Sequence, residues 1–438
     1  MPQKKDVKTT QDFHDERRTQ GRNVGVINLG CARNVVDSQT ILSNLKRQGH
    51  RIVDVEESDI AIVNTCAFID EAKQESIDTI MDLLELKRQG KLKKVIVAGC
   101  LAQRYAHELT DEFKDIDAII GAQKLDKQDI PSQVSLTAKH FAYVKISESC
   151  YNRCSFCVIP KIKGKFVSRT MDSVIKEIQQ LDAKGVKEVN VIGQDITAYG
   201  MDLYHELSLA KLLKKILPAA KNVQWIRLLY AFPAHVTDAL IEVMANEPKI
   251  CQYIDIPLQH ISDHILKAMN RNITTEGTYT LMEKFRRAMP EGHLRTTFIV
   301  GLPGETEKDF QELVSFVKEI RFDRMGAFIY SHEEGTEAYQ MGRQVPDKLK
   351  RERYHELMKV QQEISSDLHQ QKIGKQMRVM IEERQEGEDS IFLARSEYDA
   401  PEVDGVVYVH SSHPFQPGDF VKVKITDAME YDLIGEPV

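Results

Sequence analysis

Cysteines are the residues of this chain whose type and spacing could do chemistry, and six of the seven fall into two groups of three. The first group lies in the segment SESCYNRCSFCVIP and consists of Cys150, Cys154 and Cys157. The members of the second group lie far apart, each directly after a short β-like run, and are Cys31, Cys66 and Cys100. Three thiolates leave one iron of a four-iron cluster without a protein ligand, and that iron can bind a substrate or cofactor. The two groups therefore predict redox chemistry.

The spacing of the first group, C-x3-C-x2-C, is specific. Structural zinc sites pair their cysteines as C-x2-C and need four ligands. Zinc is the alternative for this group, and three unrelated core cysteines are the alternative for the second group. The remaining Cys251 is expected to be a buried core residue before a strand. An odd number of cysteines with clustered spacing favours metal ligation over disulfides.

The composition is that of a globular protein, with 42% hydrophobic and 29% charged residues among 438. No apolar run approaches the ~20 residues needed to span a bilayer, and the polar N-terminus lacks the apolar stretch of a secretory signal. We therefore expect a cytoplasmic protein with reduced thiols, no membrane contact and a flexible tail over residues 1–22. The net charge of −7 argues against strong direct binding of nucleic acid.

Residues 23–135 alternate strand and helix patterns, which predicts an open parallel α/β sheet. Its strands are NVGVIN, IAIVN, KVIVAG and DAIIG. Cys31, Cys66 and Cys100 follow the first three of these strands. Because the carboxyl ends of parallel strands share the edge of the sheet where ligands bind, we expect the three cysteines to meet at one site.

Residues 141–371 contain six strand–helix units and predict a partial, TIM-like (β/α)6 barrel. The loops after the strands carry the catalytic residues of such barrels, and the Cys150 loop follows the first strand. The segments after the second and fifth strands are Gln194–Asp195 and FIVGLPGE. The sixth strand is followed by a polar run for which the sequence indicates no role: Tyr330, Ser331, His332 and Glu333.

Residues 372–438 change to short strands separated by turn signals, which predicts a small antiparallel β-barrel. From residue 375 onward there are six cations and fourteen acids, a balance of −8, so the rest of the chain carries +1. A module that binds RNA should be basic, because phosphate contacts dominate such affinity. An acidic module repels RNA and attracts a basic protein, and a solvated acidic surface without a partner is the alternative.

The loop around Cys150 resembles the cluster motif of the radical S-adenosylmethionine superfamily. The resemblance implies that Cys150, Cys154 and Cys157 hold a catalytic 4Fe-4S cluster whose open iron binds S-adenosylmethionine, which one electron then cleaves to a radical. It implies that the adenine lies near Phe156, Ile299, Gly301, Gly304 and Glu305. It also implies that the amino group of the cofactor is bound by Gln194 and Asp195.

The whole chain from Asn23 to Val438 resembles the methylthiotransferases of that superfamily, which replace an unactivated C–H by C–S–CH3. The resemblance implies an N-terminal methylthiotransferase domain whose auxiliary 4Fe-4S cluster is held by Cys31, Cys66 and Cys100. It implies a radical barrel and a C-terminal TRAM-like β-barrel. S-adenosylmethionine would serve twice, as radical source and as methyl donor, and an electron donor would reduce the clusters. A protein that only carries electrons is the alternative, but carriers tend to ligate every iron.

Two branches of this family differ in substrate. One modifies the β-carbon of an aspartate in small-subunit ribosomal protein twelve, free or within the ribosomal subunit, and the other modifies a tRNA adenosine beside the anticodon. Several segments resemble the ribosomal branch: NLGCARNVVDSQ, NTCAFIDEAKQES, IGQDITAYG, SHEEGTEA and RSEYDAPEVDG. The tRNA branch would show GCQMN where this chain has GCARN. Ala32 replaces the proline common at its position, which leaves every cysteine in place.

Overall fold

A computed structural model of the chain describes residues 21–123, 134–388 and 390–438. It divides into two compact units. The first unit comprises the described part of Met1–Leu136 with Glu148–Tyr151 and Val158–Val167. The second unit comprises Thr137–Ser147, Asn152–Cys157 and the described part of Ser168–Val438. The tail expected over residues 1–22 lies almost wholly outside the described residues.

The first unit contains one sheet, whose strands are β1 (Asn23–Asn28), β2 (Arg51–Ile52), β3 (Ile60–Thr65), β4 (Lys94–Gly99) and β5 (Ala118–Gly121). All pairings are parallel, and the order is β2-β1-β3-β4-β5. The central strand β3 is buried along its whole length, as its run of Ile, Ala and Val predicts for a sheet covered on both faces. The two-residue β2 is too short to show a pattern, and the sequence did not predict it.

The helices of the first unit are α1 (Ala32–Arg47), α2 (Asp70–Arg88), α3 (Cys100–Arg104), α4 (Ala106–Glu112) and α5 (Ile159–Lys163), with a 3-10 turn at Val55–Glu57. Alternate residues of the strands face different layers. Ile60 and Ile62 share an apolar cluster with α1, whereas Ala61 and Val63 share another with α2 and α5. Helices thus cover both faces of the sheet.

The chain then forms β6 (Phe141–Lys145), a short ribbon of β7 (Ser147–Glu148) and β8 (Val167–Ser168), β9 (Glu188–Ile192), β10 (Trp225–Leu228), β11 (Ile250–Asp255), β12 (His293–Val300) and β13 (Arg324–Ile329). Six of these strands form an open parallel sheet in the order β13-β12-β11-β10-β9-β6. Each strand therefore lies beside its neighbours in the sequence, as strand–helix units in a partial barrel require.

The helices between and after these strands are α6 (Met171–Ala183), α7 (Leu209–Ile216), α8 (Asp238–Asn246), α9 (Asp263–Ala268), α10 (Thr275–Ala288), α11 (Glu307–Ile320) and α12 (Asp347–Gln370). Short 3-10 turns lie at Pro233–His235 and Ala338–Gln340. The apolar faces of most of these helices join one continuous core with the strands. A capping box of Thr306 and Asp309 begins α11, where the two side chains bond each other's backbone N–H groups.

The second unit ends in a closed barrel made of β14 (Gln376–Arg384), β15 (Ile391–Ser396), β16 (Val407–His410), β17 (Phe420–Ala428) and β18 (Leu433–Pro437). Four of its five pairings are antiparallel, and β16 with β18 is parallel. Alternate residues such as Val379 and Ile381 fill its interior. The sequence indicated four of these strands and did not reveal β18, which contains Gly435 and Pro437.

The predicted fold class is confirmed: an open parallel α/β sheet, a partial (β/α)6 barrel and a small, mainly antiparallel β-barrel. One detail differs, because Cys251 lies within β11 and does not precede it. It is buried, as expected for a core cysteine. Within the described residues, no helix is long and apolar enough to cross a membrane.

Candidate functional site

The scattered cysteines lie where three neighbouring strands of the first unit end. Cys31 precedes α1, three residues after β1, Cys66 follows β3 directly, and Cys100 begins α3 directly after β4. Since β1, β3 and β4 are adjacent, parallel and in register through their last residues, the three cysteines come to one edge of the sheet. The structure thus brings these three predicted residues together, as the strand-end pattern predicted.

The turns that carry these cysteines contact one another. A Cβ atom placed on Gly30 would lie 2.9 Å from Cβ of Cys66 and 3.1 Å from its Sγ, and the φ of Gly30 is +88°. The Asn34 amide donates to the Leu29 carbonyl at 2.8 Å and to the Thr65 carbonyl at 3.2 Å. A residue larger than glycine would therefore disturb the approach of the first two turns.

The third turn is joined to the second through a hydroxyl. Thr65 Oγ1 donates to the Ala98 carbonyl at 2.6 Å and accepts from the Leu101 N–H at 3.2 Å. Ser76 on α2 bonds both the N–H and the carbonyl of Cys66. These contacts hold the cysteine turns through side chains that the sequence analysis did not single out, because hydroxyl and amide bonds across distant segments leave no spacing pattern.

The three thiols differ in their electrostatics. Burial raises the pKa of Cys31, but the charge of Arg33 and hydrogen bonds from Arg33 and Asn34 outweigh it, so the net pKa lies below the usual value. Arg33 Nε donates to Cys31 Sγ at 3.4 Å. Burial raises the pKa of Cys66, and it raises the pKa of Cys100 to about 12. A positive charge that bound to all three sulfurs would remove this barrier to ionisation.

A buried lysine lies near the most deeply buried of these cysteines. Lys163 on α5 is only 3% exposed, and its Nζ lies 2.7 Å from the Asp37 carboxylate and 3.8 Å from that of Glu148. Its charge opposes the raised pKa of Cys100. Ile162 of the same helix packs in the apolar cluster that contains Cys100. The segment that directly follows Cys157 in the chain is therefore built into the first unit.

Within the second unit, the loop Asn152–Cys157 is fixed by backbone bonds. The Cys157 N–H donates to the Cys154 carbonyl at 3.0 Å, which forms a tight turn. Ser155 donates through its N–H to the Met269 carbonyl and through its hydroxyl to the Ala268 carbonyl. The Asn270 amide donates to the Arg153 carbonyl at 2.7 Å. The end of α9 therefore holds the loop that carries Cys154 and Cys157.

A buried arginine lies beside one sulfur of this loop. Arg271 Nη1 approaches Cys154 Sγ at 3.8 Å, and Nη2 donates to the Pro257 carbonyl at 2.6 Å. Its guanidinium lies 4.3 Å from the centre of the Phe232 ring. Arg271 thus donates a weak hydrogen bond to this sulfur. Arg271 lies 117 positions from Cys154, so no local spacing in the sequence links the two residues.

Gln194 and Asp195 follow β9 and differ in their free bonding capacity. Asp195 Oδ1 accepts from the N–H and hydroxyl of Thr197 and from the Ala198 N–H. Its Oδ2 lies 2.7 Å from the Asn152 amide nitrogen and 2.8 Å from His235 Nδ1. Gln194 Oε1 is buried and has no hydrogen-bond partner among the described residues. Gln194 is thus open to a ligand, whereas Asp195 already orients the cysteine loop through Asn152.

Two apolar residues predicted near the adenine share one cluster. Phe156 and Ile299 pack, with a few other side chains, around Met269, Leu302 and Tyr330. The Tyr330 hydroxyl is buried without a partner among the described residues, and burial raises the pKa of this phenol to about 12. The structure therefore brings Phe156 and Ile299 into one cluster although they lie far apart in the sequence.

The glycine turn after β12 is fixed by a buried carboxylate. The Gly301 N–H donates to Glu305 Oε2 at 2.8 Å, and Arg353 Nη1 donates to Glu305 Oε1 at 2.8 Å. Gly301 has a φ of +81°, and a Cβ atom there would lie 2.4 Å from Cγ of Lys350. Gly304 also has a positive φ but has open space around it. Only glycine fits at position 301 without a shift of Lys350.

The polar run after β13 is organised by local contacts. The Ser331 hydroxyl donates to the Glu333 carboxylate at 2.7 Å. His332 stacks on Tyr339 with ring centres 4.2 Å apart. These contacts shape the loop and assign no chemistry to it.

The donor sets fit thiolate-bound iron better than a single metal ion. None of the seven cysteines forms a disulfide, so the six members of the two groups retain their thiols for ligation. Among the described residues, no three or more His, Cys, Asp or Glu side chains are grouped closely enough to hold one metal ion. A four-iron cluster does not need such a group, because its cysteines bind different irons.

Three segments match known protein families. Residues 144–317 match the radical SAM superfamily, residues 23–121 match Uncharacterized protein family UPF0004, and residues 373–438 match the TRAM domain. The radical SAM match implies an iron–sulfur cluster and S-adenosylmethionine as cofactors. The three matches account for most of the described chain.

Curated proteins resemble the chain over almost their whole length. One from Desulforamulus reducens is 45% identical, with 94% of this chain and 99% of that protein covered. One from Clostridioides difficile is 44% identical, with 94% and 98% covered. One from Caldanaerobacter subterraneus subsp. tengcongensis is 46% identical, with 95% and 100% covered. Each is named ribosomal protein uS12 methylthiotransferase RimO.

Solved structures resemble the fold. The radical S-adenosylmethionine methyltransferase TsrM from Kitasatospora setae, with cobalamin and a 4Fe-4S cluster bound, has a TM-score of 0.51 at 14% identity. The match covers 71% of this chain and 75% of that chain. The cobalamin-dependent S-adenosylmethionine radical enzyme OxsB has a TM-score of 0.50 at 13% identity, with 78% and 56% covered. At these identities the likeness concerns the fold alone.

Proposed function

We infer the reaction of this chain from its family, because it belongs to the ribosomal protein uS12 methylthiotransferases. The chain is a radical S-adenosylmethionine methylthiotransferase. Its substrate is ribosomal protein uS12, in which the β-carbon of an aspartate exchanges one hydrogen for a methylthio group. The observation that carries this proposal is the 42 to 46% identity, over nearly the full length, to proteins of that name.

The compact cysteine group would hold the cluster that binds S-adenosylmethionine. With both bound, they supply the one-electron chemistry that removes a hydrogen atom from an unactivated carbon. Cys150, Cys154 and Cys157 would provide the thiolates, and Arg271 donates a hydrogen bond to the sulfur of Cys154. Asp195 orients the loop through Asn152.

Other residues of the barrel would bind the organic part of S-adenosylmethionine. Gln194 Oε1 can accept a hydrogen bond from its amino group. Phe156 and Ile299 offer an apolar surface to its adenine. Gly301 allows its backbone to approach, and Glu305 keeps that turn in place.

The scattered group would hold a second 4Fe-4S cluster, which handles the sulfur that is transferred. This proposal is supported by the convergence of Cys31, Cys66 and Cys100 at one sheet edge and by the close approach of Gly30 to Cys66. An electron donor of the cytoplasm, where we propose that the enzyme works, would reduce both clusters.

The proposal is tested in a bacterial strain that lacks its own uS12 methylthiotransferase. Mass spectrometry of uS12 and of total tRNA nucleosides is carried out before and after this chain is expressed. We expect uS12 to regain one methylthio group and the tRNA profile to stay constant. Cys154→Ala should fail to restore uS12, while Cys251→Ala, which removes a cysteine outside both groups, should restore it. Unmodified uS12 with newly methylthiolated tRNA would contradict the proposal.

A further inference from the structure

Strand β12 presents one row of side chains to the interior of the barrel. Leu294, Phe298 and Val300 are buried in the core that the helices cover. The residues between them point to the opposite face, because side chains alternate along a strand. Arg295 and Thr297 lie in that second row and are partly exposed. An arginine therefore projects into the interior of the open barrel.

Arg295 differs from the other arginines of the barrel strands in its exposure. Arg227 is fully buried against Glu188, and Arg324 is largely buried against Asp399. The side chain of Arg295 keeps 21% of its surface exposed. Among these three arginines, Arg295 is the one that a molecule within the barrel can reach.

The guanidinium of Arg295 is oriented from one side. Nη1 donates to Asp255 Oδ1 at 2.7 Å, and Nε donates to Asp404 Oδ1 at 3.3 Å. The two carboxylates are themselves held, Asp255 by the Tyr230 N–H and Asp404 by the Tyr253 hydroxyl. Nη2 has no hydrogen-bond partner in the part of the chain that the structure describes. These two bonds leave the hydrogens of Nη2 available to a further acceptor.

The neighbouring strand β13 leaves open space in the same row of the barrel interior. In the register of β12 and β13, Arg295 pairs with Arg324 and Thr297 pairs with Gly326. No atom lies within 4 Å of the position that a Cβ on Gly326 would take. Two residues farther along, Phe328 keeps 53% of its surface exposed on an edge strand. There is therefore open space beside the Thr297–Gly326 pair, one interior-facing position along from Arg295.

We propose that Arg295 determines specificity by donating a hydrogen bond from Nη2 to the side-chain carboxylate of the substrate aspartate. This inference rests on the proposed function, which supplies the aspartate. A hydrogen bond from a charged guanidinium to a carboxylate is short and about twice as strong as one between neutral groups. Asparagine has the same size but no charge, so this contact would distinguish the two residues. A site built to bond one group rejects an analogue that lacks it.

The position of Arg295 along β12 suits this role. Ile299, which the family resemblance links to the adenine, lies later in the same row. Arg295 lies two interior-facing positions before Ile299, so it would hold the end of the side chain while the β-carbon stays exposed to the reaction. Arg295 is a positioning residue in this account and takes no part in hydrogen abstraction.

The test compares two synthetic peptides of uS12, one with the target aspartate and one with asparagine in its place. Their affinities for the cluster-loaded full chain with S-adenosylmethionine are measured by fluorescence anisotropy without a reductant, so that no product forms. Wild type should bind the aspartate peptide roughly 10- to 100-fold more tightly, the size expected for a hydrogen bond to a charged group. In Arg295→Gln this preference should fall to about twofold or less.

Two further variants complete the experiment. Arg295→Lys keeps the charge without the fork and should show an intermediate preference, which also tests the inference if Arg295→Gln does not fold. Arg321→Gln removes an ion-paired arginine at the end of α11 and should keep the wild-type preference. An undiminished preference in folded Arg295→Gln, or no preference in wild type, would overturn the inference. If wild type given reductant modifies neither the aspartate peptide nor intact uS12, the proposed function itself fails.

Discussion

Both carboxylate oxygens of Asp195 are already bonded within the second unit, although the family resemblance implied a contact with the amino group of S-adenosylmethionine. One oxygen faces Thr197 and Ala198, and the other faces Asn152 and His235. A carboxylate with this many partners has little capacity left for a ligand. We therefore expect Asp195 to act on the cofactors through the cysteine loop.

Asp195→Ala should weaken retention of the cluster on the compact cysteine group. Removal of a residue that orients metal ligands typically lowers the metal affinity by about 10- to 100-fold. Iron content after gel filtration and chelator challenge measures the effect, with Asp172→Ala, an exposed acid at the start of α6, as the control. Full iron retention with weaker binding of S-adenosylmethionine alone would instead support direct contact.

At the scale of elements, the turn between β1 and α1 depends on one glycine. Gly30→Ala should place a methyl group against Cys66 and force a left-handed backbone that costs about 1–2 kcal/mol. We expect a lower free energy of unfolding and loss of iron from the scattered cysteine group. Urea unfolding and iron analysis check the two effects.

Gly90→Ala is the matched control for this substitution. Gly90 also has a positive φ, of +77°, but no atom lies within 4 Å of its Cβ position. The control should therefore show the backbone strain without the contact with Cys66. Equal iron content in the two variants would show that the approach of Gly30 to Cys66 does not shape the site.

Much of the N-terminal site could be predicted from the sequence. The hydrophobic runs indicated the strands, and the strand-end rule predicted that Cys31, Cys66 and Cys100 would converge. The residues that orient the cysteines could not be predicted in this way. Asn34 bonds a carbonyl 31 positions away, and Arg271 reaches Cys154 across 117 positions. Such contacts depend on how loops pack and not on any local period. Short elements such as β2 could not be predicted for a related reason, because two residues are too few to show a hydrophobic period.

At the scale of the whole molecule, buried ion pairs join the two barrels of the second unit. Glu188 at the start of β9 is fully buried between Arg227 and Arg395, and Arg395 belongs to the C-terminal barrel. Although burial alone would raise the pKa of Glu188, these two arginines hold it below its usual value. Removal of one partner from such a group leaves uncompensated buried charge.

Glu188→Gln should therefore lower the free energy of unfolding by about 3–5 kcal/mol. Asp238→Asn, which removes one partner of an exposed pair with Lys284, should cost less than about 1 kcal/mol. Urea unfolding followed by circular dichroism measures both. Similar small losses in the two variants would indicate that the barrels are held together by other contacts.

Ion pairs between the two barrels also reduce the acidity that the C-terminal residues can present to a partner. Residues 375–438 carry −8 by sequence, yet Asp399 and Asp404 are paired with Arg324 and Arg295 of the (β/α) barrel. Part of its acidity is therefore neutralised within the second unit and does not face a partner. The sequence could give the sum of the charges but not the direction in which each one points.

The junction of the two barrels should lose stability in acid. Burial lowers the pKa of His293 to about 3 and that of His369 to about 4, against 6.5 for an unperturbed histidine. At a pH below about 6.5 and above these lowered pKa values, the two histidines are protonated in the unfolded chain and neutral in the folded one. The free energy of unfolding therefore falls as the pH drops below about 6.5. Each histidine contributes at most about 1.4 kcal/mol per pH unit.

Urea unfolding across this pH range checks the effect. His369→Gln should lose less stability than wild type as the pH falls toward about 4, because one histidine no longer has to stay neutral. His107→Gln, which changes an exposed histidine of α4, should keep the wild-type slope. An unchanged slope in His369→Gln would contradict the assignment.

We propose that one cysteine group generates the radical and that the other handles sulfur during modification of uS12. It is tested most directly by measuring 5′-deoxyadenosine and methylthiolated uS12 in the same reactions of the reconstituted enzyme. Wild type should give both products, Cys154→Ala should give neither, and Cys66→Ala should give 5′-deoxyadenosine without methylthiolated uS12. Methylthiolated uS12 from Cys66→Ala, or equal loss of both products in the two variants, would contradict this division.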